Sequence, residues 1–276
     1  MPELPEVETI RRDLLEKLKS ALLREVVVRE PKYLSKRSIK KEDLINLRGA
    51  KLKDILRRGK QLAFLLGESA LIFHLGLTGS LIFKENKEFE TFHSENLKHL
   101  ILLLLFDNGT LLFKDLRKFG HLLLIPANSL KSHWENTLGP DALSVSKSSF
   151  EAILRRGKGQ IKKFFLNQKN IAGLGNIYID ELLFRAKINP ERKVESLSLD
   201  EIERLYVEMQ DLLKEAIFLR GSSIRDYVDG TGTPGLFQTK HLVYGKRGRP
   251  CPICGTLLEY KNLYGRGTTF CPICQT

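Results

Sequence analysis

Apolar positions recur along this chain with two different periods, and the change of period divides it. Val7, Ile10, Leu14 and Leu18 repeat at three- and four-residue steps, the stripe of a helix that buries one face. Pro5 suits the first turn of that helix, and Glu3, Glu6 and Glu8 complement its dipole. Short apolar runs bounded by turn residues follow at 25–29, 51–56, 61–66, 70–75, 100–106, 110–113 and 120–125. Runs of that length read as strands, and Asp107-Asn108-Gly109 between two of them is a hairpin signal. Beyond about Asn128 the helical period returns in Ile202, Leu205, Met209, Leu212, Leu213 and Ala216. Ser148-x-x-Glu151 and Ser198-x-x-Glu201 have the form of capping boxes at helix starts. The pattern predicts an α+β chain in three parts. Residues 1–127 form a β-sandwich domain with an N-terminal helix, 128–237 a helical domain, and 238–276 a small terminal module. The stretch 220–237, with Gly221, Gly230, Gly232 and Gly235, is the least ordered candidate, a linker or a lid that closes over a ligand.

Charge then narrows the partners. Among 276 residues, 45 Lys and Arg stand against 33 Asp and Glu, a net charge of +12. Such an excess favours a polyanion, either nucleic acid or an acidic membrane surface. No apolar run reaches the ~18 residues of a membrane span. The first residues are too acidic for a signal peptide, so the expected compartment is the cytoplasm. All four cysteines lie near the C-terminus, Cys251, Cys254, Cys271 and Cys274, as two C-x2-C pairs sixteen residues apart. In a reducing compartment four thiolates at this spacing close a tetrahedral shell around zinc, whereas two disulfides would suit a secreted chain. Zinc is the expected ligand, in a structural role because four thiolates leave no open position for water.

Other stretches carry candidate chemistry. If Met1 is removed, Pro2 presents a terminal secondary amine, whose pKa of roughly 7.7–8.0 leaves far more neutral nucleophile than lysine at ~10.4. Such an amine attacks electrophilic carbon and yields an iminium, with the Glu3 carboxyl one residue away to exchange protons. The plainer alternative is that Pro2 and Pro5 only stiffen the entry to a helix. Arg57-Arg58-Gly59-Lys60 sits at a hairpin turn, where three cations seldom serve packing. His74-Leu75-Gly76-Leu77-Thr78-Gly79-Ser80 reads as a loop around Leu77. Asp115-Leu116-Arg117-Lys118-Phe119-Gly120 mixes cations with an aromatic, suited to phosphate contact and base stacking. A basic run from Arg155 to Lys169 precedes Gly173-Leu174-Gly175-Asn176-Ile177-Tyr178, a glycine turn opening a helix whose free N–H groups suit phosphate. Between the cysteine pairs, 264–270 reads as a hairpin with Arg266 at its apex.

These six stretches, P-E-L-P-E-V-E, R-R-G-K, H-L-G-L-T-G-S, D-L-R-K-F-G, G-L-G-N-I-Y and the cysteine module with R-G-T-T-F-C, stand in the order of the formamidopyrimidine-DNA glycosylases, and the chain resembles that family from end to end. The resemblance implies a β-sandwich, a helical domain with a helix–two-turn–helix element and a zinc-finger hairpin, with double-stranded DNA in the cleft and a monomeric enzyme. It implies excision of oxidised purines followed by β,δ-elimination at the abasic site. Pro2 would be the nucleophile and Glu3 the proton carrier. Lys60 would assist β-elimination, and Arg266 would grip the lesion phosphates and act in δ-elimination. Leu77, Arg117 and Phe119 would fill the space a flipped base leaves. His99, Arg117, Lys158, Lys162 and Asn176 would contact DNA, and the 221–235 loop would close over the flipped base. Leu77 stands where the family commonly has methionine, while Leu116 and Lys118 replace residues more often proline and arginine. Two other readings are open: a sister glycosylase acting on oxidised pyrimidines, and a non-catalytic zinc-finger DNA-binding protein.

Overall fold

The structure, a computed structural model, describes residues 2–35, 39–86 and 98–276. Helix α1 (Leu4–Leu18) opens the chain. Its Val7, Ile10, Leu14 and Leu18 are fully buried, as the periodicity predicts. They enter a core formed with two four-stranded antiparallel sheets. One sheet has the order β1 (Leu23–Val28), β6 (Leu100–Phe106), β7 (Gly109–Asp115), β5 (Gly79–Glu85). The other runs β2 (Leu52–Arg58), β3 (Gln61–Leu66), β4 (Ser69–His74), β8 (His121–Pro126). Phe64, Phe73 and Phe113 meet edge to face at ring separations of 5.1 and 5.3 Å, which joins the two sheets. Short helices α2 (Pro31–Ser35), α3 (Lys41–Ile45) and α4 (Leu130–Thr137) complete this part.

The observed strands match the expected runs to within a few residues, with β5 added. Leu81 and Phe83 of β5 are buried in strict alternation, a period-two signal hidden behind the glycine-rich turn that precedes it. In the β6–β7 hairpin Phe106 pairs with Gly109, so Asp107 and Asn108 alone make the turn. Gly109 is demanded by its neighbours, because a Cβ there would lie 2.4 Å from both the Lys84 carbonyl oxygen and the Phe83 ring.

The remaining residues build a helical assembly from α5 (Lys147–Arg156), α6 (Ile161–Leu166), α7 (Asn176–Arg185) and α8 (Leu199–Phe218). Phe150, Phe165, Tyr178, Leu182, Leu205, Met209 and Leu212 are its buried interior. The Ser198–Glu201 capping box is present, with Ser198 N–H donating to Glu201 Oε2 at 2.8 Å and Glu201 N–H to Ser198 Oγ at 3.2 Å. The expected Ser148–Glu151 box is not. Ser146 caps α5 by accepting from Ser149 N–H, and Glu151 instead pairs with Arg155 one turn on. Three serines within four residues make the cap ambiguous in sequence, and the first in line takes it.

By contacts the described chain forms two compact units, Met1–Asn136 with Leu219–Leu236, and Thr137–Phe218 with Phe237–Thr276. The grouping differs from the three-part division into 1–127, 128–237 and 238–276. The glycine-rich loop belongs to the sandwich, and the cysteine module belongs with the helices. Asp229 Oδ1 accepts from the backbone of Thr231 and Thr233, and Arg220 bridges Asp229 and Asp13 of α1. The loop is thus pinned at its base, and its exposed stretches are 224–226 and 231–234.

Candidate active site

Pro2 and Glu3 are buried immediately before α1. Met1, whose removal would free the Pro2 nitrogen, lies outside the described residues. Glu6 fixes this entry. Its Oε2 accepts from Glu3 N–H at 2.8 Å, and its Oε1 accepts from Ser222 N–H at 2.7 Å. One buried carboxylate therefore ties the chain start to the base of the 220–236 loop. Gly221 is required there, with φ +79° and its Cβ position 2.7 Å from Glu6 Oε1.

Lys60 occupies the two-residue turn between β2 and β3, with Gly59 at φ +56°, and is 8% exposed. Of the three cations in that turn, Arg57 does serve packing. Its Nε donates to Glu8 Oε2 at 2.9 Å, with both side chains 6% exposed, and its Nη1 donates to Gly59 O at 3.0 Å. Glu8 also accepts from Arg11 and Arg12. Burial alone would raise the Glu8 pKa, but the three guanidiniums overcome it and hold the carboxyl at about 2. Glu8 thus fixes the Lys60 turn to the helix that Pro2 precedes.

His74 ends β4. Burial, then the charges of Lys60 and His121, lower its pKa to about 4. Its Nδ1 accepts from Gly76 N–H at 3.2 Å, so the neutral ring carries its proton on Nε2. Leu77 is half-buried in the turn that follows, whereas Arg117 and Phe119 are exposed in the turn between β7 and β8. The Arg117 guanidinium lies 4.8 Å over the Phe119 ring, a cation–π pair. His99, at φ +60°, is exposed just before β6.

In the helical unit, the turns between α6 and α7 are braced by Gln168, whose Oε1 accepts from Gly173 N–H while its Nε2 donates to Leu174 O. Asn176 opens α7 and gives one amide hydrogen to Gly267 O at 2.8 Å. Lys158 is exposed. Lys162 is the correction: its side chain is 0% exposed, and its Nζ lies 2.5 Å from Asp180 Oδ1. A lysine without accessible surface makes no phosphate contact in this conformation. The basic run reads as a DNA-contacting stretch in sequence because the partner of Lys162, Asp180, is eighteen residues on.

The terminal hairpin pairs β9 (Glu259–Leu263) with β10 (Arg266–Phe270). Tyr264 and Gly265, both at positive φ, form the two-residue turn. Arg266 is therefore the exposed first residue of β10, beside the apex and not at it. The four cysteine sulfurs lie within 4.8 Å of one another, at 3.8 Å for Cys251–Cys274 and 3.5 Å for Cys254–Cys271. A tetrahedron with Zn–S bonds of ~2.3 Å has edges of about 3.8 Å, so the donor set fits such an ion. Ile253 and Cys274 each point a backbone N–H at a sulfur, Cys251 and Cys271 respectively, at 3.4 Å. Those donors favour thiolate.

Residues 1–122 match the model of the formamidopyrimidine-DNA glycosylase N-terminal domain, and residues 138–228 that of its H2TH domain. The formamidopyrimidine-DNA glycosylase of Desulfitobacterium hafniense is 40% identical over the whole of both chains, and that of Bacillus cereus 38% identical over all of this chain and 99% of its own. The chain belongs to the formamidopyrimidine-DNA glycosylase family. Solved structures agree. A Lactococcus lactis Fpg mutant complexed with Fapy-dG containing DNA superposes with a TM-score of 0.89 at 35% identity, covering 99% of each chain. The Lactococcus lactis Fpg complexed with an abasic site containing DNA gives 0.88 at 35% identity over the same coverage. Among the described residues no helix is long and apolar enough to cross a membrane.

Against that family background, two residues stand out that sequence reasoning passed over. Glu6 was readable as the i+3 acid that caps its own chain entry, but its second partner is 216 residues away. His74 heads the H-L-G-L-T-G-S stretch, where the glycines draw attention first.

Proposed function

We propose that this chain is a bifunctional DNA-repair enzyme that excises oxidised purines from duplex DNA and then cleaves the abasic site by β,δ-elimination. The observation that carries the proposal is Pro2-Glu3 held buried at the head of α1 by Glu6, in a chain whose relatives are named formamidopyrimidine-DNA glycosylases. The solved relatives hold abasic, Fapy-dG and carbocyclic 8-oxo-G DNA, which supports the same substrate class.

With Met1 removed, the Pro2 nitrogen bonds to C1′ of the damaged nucleotide as the glycosidic bond breaks, and the base departs with that electron pair and a proton. Glu3 supplies and takes protons at the sugar, so that ring opening leaves an iminium between Pro2 and C1′. The iminium acidifies C2′–H, and its loss expels the 3′ phosphate with assistance from Lys60. Arg266 acts in the second elimination, which expels the 5′ phosphate. Leu77, Arg117 and Phe119 fill the vacated stack, and the pinned 221–235 loop closes over the extruded base. His99, Lys158 and Asn176 contact the DNA backbone, together with Arg117. Cys251, Cys254, Cys271 and Cys274 hold one zinc ion, which supplies folding energy to the hairpin and no chemistry. The functional parts are the sandwich, the helical element and the cysteine module, acting as a monomer in the cytoplasm.

Borohydride trapping on duplex DNA containing 8-oxoguanine opposite cytosine tests the reading. A covalent adduct at Pro2 is expected, and it is lost when Met1 is retained, while salt-sensitive DNA binding survives. Glu3→Gln loses base excision but keeps part of its strand cleavage at a preformed abasic site. Absence of any adduct with correctly trimmed enzyme rejects the mechanism.

A further inference from the structure

Asp115 is a fully buried carboxylate that the proposed chemistry does not use. It ends β7, directly opposite Gly79 at the start of β5. Its Oδ1 accepts from Thr78 Oγ1 at 2.7 Å, and its Oδ2 accepts from Gly120 N–H at 2.7 Å. Thr78 Oγ1 in turn accepts from Arg117 N–H at 3.0 Å. The Asp115 backbone N–H donates to His99 O, also at 3.0 Å. One side chain therefore closes the 116–120 turn at both ends and ties it to the residue after Leu77.

The two turns are in contact through their backbones as well. Gly76 sits at φ +61°, and a Cβ there would lie 2.6 Å from the Phe119 carbonyl carbon and 2.7 Å from Gly120 N. Gly120 is equally confined, its Cβ position 2.8 Å from Tyr33 Oη and 3.0 Å from Asp115 Oδ2. The turns are thus held as one piece by a charge-assisted network rooted in the buried Asp115 carboxylate and reaching the surface at Arg117. That piece presents half-buried Leu77 together with exposed Arg117 and Phe119.

We propose that Asp115, acting through Thr78 and Gly120, is the positioning residue that locks the Leu77, Arg117 and Phe119 turns into a single wedge and thereby sets discrimination of the base opposite the lesion. The proposal rests on the glycosylase reading above. A wedge must be rigid before it touches DNA, since a side chain that is ordered only on insertion spends binding energy on its own ordering. The Thr78 hydroxyl is the joint of the device, because from the Leu77 turn it donates to Asp115 and accepts from Arg117 N–H, both on the 115–120 segment. A valine there keeps the volume and removes both bonds, whereas serine restores them.

The test uses full-length, Met1-trimmed enzyme in four forms: wild type, Thr78→Val, Thr78→Ser and Asp115→Asn. Single-turnover excision of 8-oxoguanine is measured opposite cytosine and opposite adenine, alongside borohydride trapping on a preformed abasic duplex, where no base has to leave the stack. Thr78→Val is expected to lose about tenfold in excision opposite cytosine, the effect of one hydrogen bond to a charged group, and to compress the cytosine-to-adenine ratio. Trapping at the abasic site stays within about threefold, and Thr78→Ser recovers both quantities. Asp115→Asn, if it folds, follows Thr78→Val. An unchanged cytosine-to-adenine ratio in Thr78→Val overturns the proposal, as does equal loss on damaged and abasic duplexes or failure of Thr78→Ser to rescue. Failure of wild type to trap would instead reject the Pro2 chemistry, so the two ideas fail separately.

Discussion

Lys162 and Asp180 offer the sharpest test of the helical unit. Their side chains are 0% and 1% exposed, and Nζ lies 2.5 Å from Oδ1. The other carboxylate oxygen accepts only the Thr269 N–H, at 3.2 Å, among the described contacts. Burial pushes the Asp180 carboxyl up, against the pull of Lys162 and the Thr269 N–H. Lys162→Met leaves this carboxylate buried without its cation, which should cost about 3–5 kcal/mol. For a protein of this size that corresponds to roughly 6–20 °C in Tm. Asp180→Leu removes the carboxylate to which the buried Lys162 ammonium is bonded and should also destabilise the protein. The double variant replaces both charges by apolar groups and should lie within about 2 kcal/mol of wild type, so that the cycle returns a coupling of several kcal/mol. The sign of the pH dependence follows from the raised carboxyl. The carboxyl is raised to about 7 with Lys162 present and higher without it, so both proteins lose stability alike from pH 4 upward and the penalty in Lys162→Met widens only once pH passes about 7, making it larger at pH 8 than at pH 5. The assay is urea unfolding followed by far-UV circular dichroism at both pH values, with the salt dependence of abasic-duplex binding measured on the double variant. If Lys162 touched a phosphate, the double variant would lose close to one unit of salt slope. A slope reduced by that amount, or single variants within about 1 kcal/mol of wild type, would refute the buried-pair account.

Three further outcomes are expected. Glu8, held at about 2 by its three arginines, should contribute about 3 kcal/mol above pH 5 that is lost as pH falls toward 2; Glu8→Gln removes that acid dependence, and parallel stability curves for the two proteins would contradict it. Gly76→Ala places a Cβ 2.6 Å from the Phe119 backbone at φ +61°. Left-handed strain alone costs ~1–2 kcal/mol, so amide exchange across 116–120 should accelerate, and unaltered exchange would count against the close contact. Chelation should release one zinc per chain by a colorimetric metal assay, melt the β9–β10 hairpin and weaken DNA binding, while the melting of the sandwich unit is unchanged. Retained hairpin protection after verified metal loss would show that the cysteines do not organise it.

Much of this fold is legible in one dimension because its signals are local. The α1 stripe, the cysteine spacing and the Ser198–Glu201 box each lie within a few residues or a single module, so periodicity and capping rules read them directly. What escaped depends on pairs distant in sequence. Glu6 meets Ser222, Arg57 meets Glu8, and Lys162 meets Asp180, whereas the sequence suggests only a helix-dipole role for the two glutamates, a cationic turn for Arg57 and a DNA contact for Lys162. Burial reverses that assignment, because a charge removed from water must find a partner and the fold alone decides which. The same cause explains why the basic excess overstates the surface available to DNA: Arg57 and Lys162 are spent inside the protein.

The consequence for the proposed site is that its geometry is set by carboxylates more than by the cations that would meet DNA. Glu6 fixes the entry to Pro2, Glu8 fixes the turn of Lys60, Asp115 fixes the turns of Leu77, Arg117 and Phe119, and Asp180 bonds to the strand that Arg266 begins. Each acid takes backbone N–H groups or buried guanidinium and ammonium partners. A positively charged chain needs such anchors, because cations facing a polyanion repel one another until it binds. Neutralising an anchor should therefore damage catalysis through displaced geometry, whereas neutralising an exposed cation such as Lys158 should weaken binding and leave the bound geometry intact. The two classes separate in kinetics: the first lowers the single-turnover rate at saturating duplex, and the second raises the concentration of duplex needed to saturate.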